Sequence, residues 1–363
     1  MSRIEHSLGL RHFLVVLIFG VMFCVDSGYA EMQPKPVFRQ DLRPFGFLTN
    51  SHGQIIGSFS DINFLSDDLV LVTVNTRTYG NGVPLLTDQP VSKLLLFDVP
   101  HRTLLKKMEM PIEKSAGSVR ATRGGAFVVL NESGLHLCSR DLECSMQIST
   151  RGPLFVSPEG LRIVVGGNGQ TEQKLLDSAS LAELGHFPWM KPNVVPGDGA
   201  VALRSDDALI VRIPGKPDQA VPFGGGGIWP DARFLNRTTI ADFESDKSLA
   251  VAKLDGSILF RVPVTARWNV TEIATSASGS RFCFHEAGYT TLNSVLNFYD
   301  IDDGRPFNFE TADVMSIETG KSLFQLRWDP RPYVGYPSTP ALSPDGHKIA
   351  VIRNGFLEVF AVE

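Results

Sequence analysis

The chain ends in ALSPDGHKIAVIRNGFLEVFAVE, Ala341 to Glu363, and the reading of this stretch decides the fold. An apolar pair enters Ser343-Pro344-Asp345-Gly346, a turn in which Pro presets φ, Asp bonds its own backbone and Gly accepts positive φ. Lys348 to Ile352 then alternates, Asn354-Gly355 is a hairpin signal, and Phe356 to Ala361 reads as another strand. The last strand needs a partner for its open edge. The extended segment PVFRQDLRPFGFL, residues 36–48, is expected to supply it, so that the start of the folded chain pairs beside its end.

Used as a probe, the unit recurs. FLSDDLVLV begins at Phe64, ATRGGAFVVL at Ala121, FVSPEGLRIVV at Phe155, VVPGDGAVAL at Val194, RFLNRTTIADF at Arg233 and ATSASGSRFCF at Ala274. With the closing stretch this makes seven turns, near 67, 124, 158, 197, 236, 278 and 344, with steps of 57, 34, 39, 39, 42 and 66. Four of the steps fall close to the ~40–45 residues of a four-stranded propeller blade, and the outer two read as blades with inserts. Downstream stretches such as LLLFDVPHRTLLKKM and LAVAKLDGSILFRV supply two further strands around a tight turn. One such sheet cannot bury both its faces, but radial stacking buries each against its neighbours. The expected fold is all-β: one seven-bladed β-propeller of four-stranded antiparallel blades over residues 31–363, closed by an N-terminal strand added to the last blade.

On these turns and the run of related units, the chain resembles seven-bladed WD-repeat-like and YVTN-like propellers, in particular the exported bacterial ones. The resemblance covers nearly all of residues 31–363 and implies a fold, not an activity. No unit has the Gly-His and Trp-Asp pair of true WD repeats, and Trp328-Asp329 falls in a predicted interblade segment, so eukaryotic WD-type scaffolding is not implied. SIETGKSLF, from Ser316, is similar to the Thr-Gly-Lys turn of quinone-cofactor propellers, but it occurs once and has Phe324 where those carry Trp. An ordinary turn explains it.

The first thirty residues read as a secretory signal: Arg3 and Arg11 precede the apolar run Phe13 to Val25, which is shorter than the ~20 residues of a membrane-spanning helix, and cleavage is expected after Ala30. Acylation at Cys24 would need small residues before it, where Val21-Met22-Phe23 stands. The protein is therefore expected to be periplasmic or extracellular, with no transmembrane segment after signal removal. The charges lost with the signal cancel, leaving a net charge of −5 and no basic run, which argues against a nucleic-acid partner. With 33 Gly and 23 Pro the chain is punctuated too often for long helices. In GLHLCSRDLECSMQI, Cys138 and Cys144 face each other across a predicted hairpin and can form a disulfide; two packed thiols are the alternative. Cys283, in SRFCF, alternates as a buried strand residue.

Both inserts fall between the second and third strands of their units, at Thr76 to Ser92 and at His285 to about Asn308, and WDPRPYVGYPST enters the last unit from the same face. The three segments bring Arg77, Tyr79, His285, Glu286, Tyr289, Arg331, Tyr333 and Tyr336 toward one sector. Aromatic area with guanidinium and carboxylate groups suits a protein, peptide or carbohydrate, although ordinary loop packing produces such compositions too. Trp189, Trp229, Trp268 and Trp328 fall in predicted connections and are expected to fill seams between blades, a ring of aromatic contacts around the central channel being the alternative.

No catalytic constellation is complete. There is no Gly-x-Ser-x-Gly elbow, His285-Glu286 lacks the second histidine of a zincin, and Gly224 to Gly227 is not followed by the Lys-Ser/Thr of a phosphate loop. The pairs Asp67-Asp68, Asp206-Asp207 and Asp302-Asp303 sit in predicted turns, where Asp is favoured for local bonding. YDIDDGRPFNFE fails as a calcium loop because Tyr299 and Ile301 occupy positions that need oxygen ligands. Neither a cofactor nor a metal is expected. The sequence favours a binding module whose face is formed by the long loops near the last blade; the alternative is a propeller enzyme of lactonase, lyase or quinoprotein type at the channel mouth.

Overall fold

Period-two alternation with apolar residues on both faces builds a sheet that must be covered on both sides, and the chain meets that need by stacking sheets. The computed structural model describes residues 34–47, 55–56, 61–75, 78–80, 83–85, 91–111, 118–166, 172–188, 201–204, 209–212, 217–221, 233–243, 248–264, 267–289, 309–328, 333–334 and 339–363. It is a β-propeller with six blades of four antiparallel strands. Blade 1 comprises Ile62–Phe64, Leu69–Asn75, Val91–Asp98 and Thr103–Pro111; blade 2 comprises Ser118–Ala121, Phe127–Asn131, Gly134–Cys138 and Cys144–Ile148. Blade 3 is formed by Leu154–Val156, Arg162–Gly166, Glu172–Asp177 and Glu183–Pro188, and blade 4 by Arg233–Phe234, Thr239–Phe243, Ser248–Lys253 and Ile258–Pro263. Blade 5 has Arg267–Thr275, Arg281–Tyr289, Phe309–Ser316 and Ser322–Trp328. Blade 6 has Ala341–Leu342, Lys348–Arg353 and Phe356–Ala361, and its outer strand is Phe38–Asp41.

Seven four-stranded blades were the expectation, and that count is corrected: the described residues form six. The unit with its turn near 197 contributes a three-stranded sheet, Val201–Arg204, Leu209–Arg212 and Gln219–Val221. The three strands lie downstream of that turn, and residues 189–200, which precede them, are outside the described residues.

Phe38–Asp41 runs antiparallel to the terminal strand in the register Phe38↔Val359, Arg39↔Glu358, Gln40↔Leu357 and Asp41↔Phe356. Arg39 and Arg43 place guanidinium carbons 3.9 and 4.9 Å from the Phe356 ring centroid, and Arg39 Nε is 3.0 Å from the buried Glu358 carboxylate.

Alternation decides which seam each residue fills. Val70, Val72, Leu95 and Phe97 of blade 1 pack with Leu357, Val359 and Phe38 of blade 6. The intervening Leu71, Leu94 and Leu96 pack with Val119, Phe127 and Val129 of blade 2. Equivalent apolar clusters join blades 2 and 3, 4 and 5, and 5 and 6, while Ile210 of the three-stranded sheet packs on Phe155, Val164 and Leu175 of blade 3. First strands are innermost: that of blade 1 has backbone within 8 Å of the first strands of blades 2 and 6, and blade 6's lies equally close to blade 5's.

The repeated Ser-Pro-x-Gly turn is a bonding device. Ser157 and Ser343 are buried, and their Oγ atoms accept the amides of Arg162 (3.0 Å) and Lys348 (2.9 Å), the residues that start each second strand. The turns also bond from blade to blade. Arg123 N donates to Gly160 O at 2.9 Å, Asn236 Nδ2 to Gly279 O at 3.2 Å, Ser278 N to Pro344 O at 2.9 Å and Asp345 N to Asp67 Oδ1 at 2.9 Å. At Gly160, φ is +71° and a Cβ would stand 2.6 Å from Arg123 N, so only glycine permits this approach.

Candidate functional site

Because first strands are innermost, their side chains and the turns that follow them line the axis. A cavity of about 450 Å³ lies there, walled by residues from all six blades. Aligned on their pairing with the second strands, Asn63↔Leu71, Arg120↔Val128, Phe155↔Val164, Arg233↔Ala241, Ala274↔Cys283 and Ala341↔Ala350 are equivalent. They define one tier of the wall. Two residues earlier, Asp61, Glu272 and Thr339 define another, nearer the face from which the chain enters each blade. That is also the face of the connections between second and third strands, where both inserts lie.

The upper tier is rich in carboxylate. Asp61 Oδ1 accepts Arg120 Nη1 at 2.7 Å, and its Oδ2 accepts the Val119 amide at 3.0 Å. Thr339 Oγ1 donates to Glu272 Oε2. Burial alone would lower the pKa of Arg120, and the charges of Asp61 and Glu272 outweigh it, so the guanidinium is held above its ordinary value. Asn63 completes the knot: its Nδ2 donates to Val119 O at 3.1 Å and its Oδ1 accepts the Ala121 amide at 3.0 Å, so blade 1 side chains satisfy the channel-facing backbone of blade 2.

The lower tier is rich in guanidinium. Arg233 lines the cavity with its Cζ 5.9 Å from the Phe155 ring centroid. Arg123 stands further toward the turns, where Glu159 is 3.7 Å from Arg237 Nε. Carboxylates therefore stand toward the insert face of the cavity, and guanidinium groups, with the carboxylate of Glu159, stand below them.

Of the residues expected at the loop sector, Arg77, Arg331 and Tyr336 lie outside the described residues. Tyr79 falls in Thr78–Gly80, which pairs with Val83–Leu85 as a hairpin inside the first insert. Tyr333 falls in Tyr333–Val334, a parallel partner of Ile55–Ile56, and the backbone of that partner comes within 8 Å of the hairpin. Both elements therefore lie beside Ile55–Ile56.

The third segment begins later than expected. His285, Glu286 and Tyr289 belong to the strand Arg281–Tyr289, and His285 and Glu286 are buried. The strand persists through them because they pair with Ala312 and Thr311. His285 Nε2 is 3.4 Å from Glu310 Oε2, and its ring stacks on Trp328 with centroids 6.1 Å apart. Trp328 ends the last strand of blade 5 instead of sitting in a connection, and it fills the seam to blade 6. Trp268 falls in the first strand of blade 5, while Trp189, Trp229 and Gly224 to Gly227 lie outside the described residues.

Cys138 and Cys144 are joined by a disulfide with Cα atoms 3.9 Å apart. Cys283 is a buried free thiol whose pKa is pushed up, first by burial and then by Asp313. Among the described residues no group of His, Cys, Asp and Glu could hold a metal ion, and no helix is long and apolar enough to cross a membrane.

Sequence reasoning missed Asp61, Arg120, Arg233, Glu272 and Thr339. The signal that finds them is position within the unit, measured back from the turn. No protein-family model matches the sequence, and no curated protein is significantly similar to it.

Proposed function

We propose that the protein is an exported binding module whose ligand seat is the central channel, entered from the face that carries the long connections. The observation that carries this reading is the cavity of about 450 Å³ with a charged, partly apolar wall. In the same reading the three-stranded sheet belongs to a seventh blade, and the Phe38–Asp41 strand closes the ring. The spacing of the turns and the register of that strand beside Phe356–Ala361 support both inferences.

The hairpin bearing Tyr79 and the segment bearing Tyr333 then form a rim beside the mouth. His285 and Glu286 support the rim from below. The rival reading, an enzyme at the channel mouth, loses its clearest general base, because both oxygens of Asp61 are already engaged.

A thermal-shift screen of residues 31–363 against peptides and carbohydrates tests the proposal. Ligands that raise the melting temperature should protect the first strands in hydrogen exchange and lose their effect in Arg120→Ala. Protection confined to outer strands, or shifts that survive Arg120→Ala, would overturn it.

A further inference from the structure

Resting on the channel as ligand seat, we propose that the ligand carries an oxyanion, a carboxylate or a phosphoryl group, and that Thr122 and Arg123 bind it at the turn end of the cavity. In blades 3, 5 and 6 a serine opens the turn. Ser157, Ser276 and Ser343 each donate their amide to the carbonyl five residues on, and their Oγ atoms accept the amide of that same residue at 3.0, 3.1 and 2.9 Å. Thr122 opens the blade 2 turn in the same way, but its amide donates to Ala126 O, one residue sooner. Its Oγ1 is left without a hydrogen-bond partner, although Thr122 is only 7% exposed and belongs to the wall of the cavity. A buried hydroxyl in that state is a cost to folding, and a ligand that accepts its proton removes the cost.

Arg123 comes next, exposed and on the same wall, and its guanidinium has no partner among the described residues. Only its amide is used, on Gly160 O. Gly124 and Gly125 follow, both with φ of +81°, and a Cβ on Gly124 would meet nothing within 4 Å, so the turn borders open space. A planar fork of N–H donors with a hydroxyl donor beside it matches the oxygens of a carboxylate or phosphoryl group, and a cation gains nothing there. The adjoining turn brings one carboxylate to this end, Glu159, which lies 3.7 Å from Arg237 Nε and is thereby matched. Leu65, Phe155 and Val156 of the wall are left for an apolar part of the same ligand.

The test titrates residues 31–363 calorimetrically with N-acetyl-L-phenylalanine and its amide, methyl β-D-glucuronide and methyl β-D-glucoside, and inorganic phosphate. An oxyanion probe should bind, a carboxylate about tenfold or more tighter than its neutral counterpart, and Arg123→Gln should abolish the advantage. Thr122→Val should weaken that probe about tenfold, the weight of a hydrogen bond to a charged group, and Thr122→Ser should retain it. Neither Thr122→Val nor Arg123→Gln takes a partner from the folded chain, so the denaturant midpoint should not fall in either. Binding of phosphate alone assigns the phosphoryl source, and binding of a carboxylate alone the carboxylate source. Equal binding of charged and neutral probes, a preference that survives Arg123→Gln, no binding of any oxyanion, or a lowered midpoint in Thr122→Val overturns the proposal. If neutral probes alone protect the first strands in hydrogen exchange, the channel remains the seat and only the oxyanion falls. If oxyanion binding depends on Arg123 but leaves those strands unprotected, the subsite stands and the channel as seat falls.

Discussion

Phe38→Ala tests whether the N-terminal strand belongs to the core or merely lies on it. Phe38 is 2% exposed, its ring centroid is 5.8 Å from that of Phe97 in blade 1, and it shares the blade 6 to blade 1 seam with Leu357 and Val359. Val37, one residue earlier, points the other way and is 39% exposed. Truncating a buried Phe costs about 3–5 kcal/mol once the cavity is counted, a large share of the roughly 5–15 kcal/mol that holds a domain folded. At about 2 °C per kcal/mol for a chain of this size, the melting temperature should fall by roughly 6–10 °C. Val37→Ala, by contrast, should stay within about 0.5 kcal/mol. Guanidinium titration followed by tryptophan fluorescence measures both. Equal effects of the two substitutions, or a loss below about 1 kcal/mol for Phe38→Ala, would refute the placement of this strand in the seam.

Reduction of the Cys138–Cys144 disulfide should lower stability by about 2 kcal/mol, since only a short loop is closed; calorimetry with and without a phosphine reductant reads the difference. Cys283 is buried with its thiol pKa raised, so a thiol reagent should find no reactive group in the native mature protein and one after denaturation. The Ser180 hydroxyl, with the Ser180 and Ala179 amides and Arg162, holds Asp177 below the usual carboxylate range. A lowered native pKa stabilises above the unfolded value of about 3.9 and is lost as pH falls through the native one, so Asp177→Asn should flatten the acid limb of a stability profile below about pH 4.

The fold was legible because its signature is local. Ser343, Pro344 and Gly346 announce a turn wherever they stand, and alternation on either side announces strands that need covering on both faces. The boundary of the second insert was not legible: His285 and Glu286 break the apolar pattern of FCFHEAGY, although each is accommodated in the strand, His285 against Glu310 and Trp328. The channel was illegible for a different reason. Asp61, Arg120, Arg233 and Glu272 come from four blades and share no motif, and only the pairing of first with second strands brings them to neighbouring heights.

That division follows from where backbone demands are met. In blades 3, 5 and 6 the turn serine accepts the amide that opens the second strand, so its identity is fixed by folding and says nothing about ligands. In the channel tier before it Asn63 meets a backbone demand of its neighbour, but the equivalent positions of the other blades hold Arg120, Phe155, Arg233, Ala274 and Ala341, so no one residue type is imposed there. Ser343→Ala therefore separates the two roles. It removes a fully buried hydroxyl that accepts the Lys348 amide at 2.9 Å and donates to Asp345 Oδ1 at 2.6 Å, stranding the first of these. The expected loss is about 1–3 kcal/mol, seen in denaturant midpoints, with ligand affinity per folded molecule unchanged. Should Ser343→Ala leave stability intact and alter binding, turn and channel would not be independent, and the assignment of function to the tiers would fail with it.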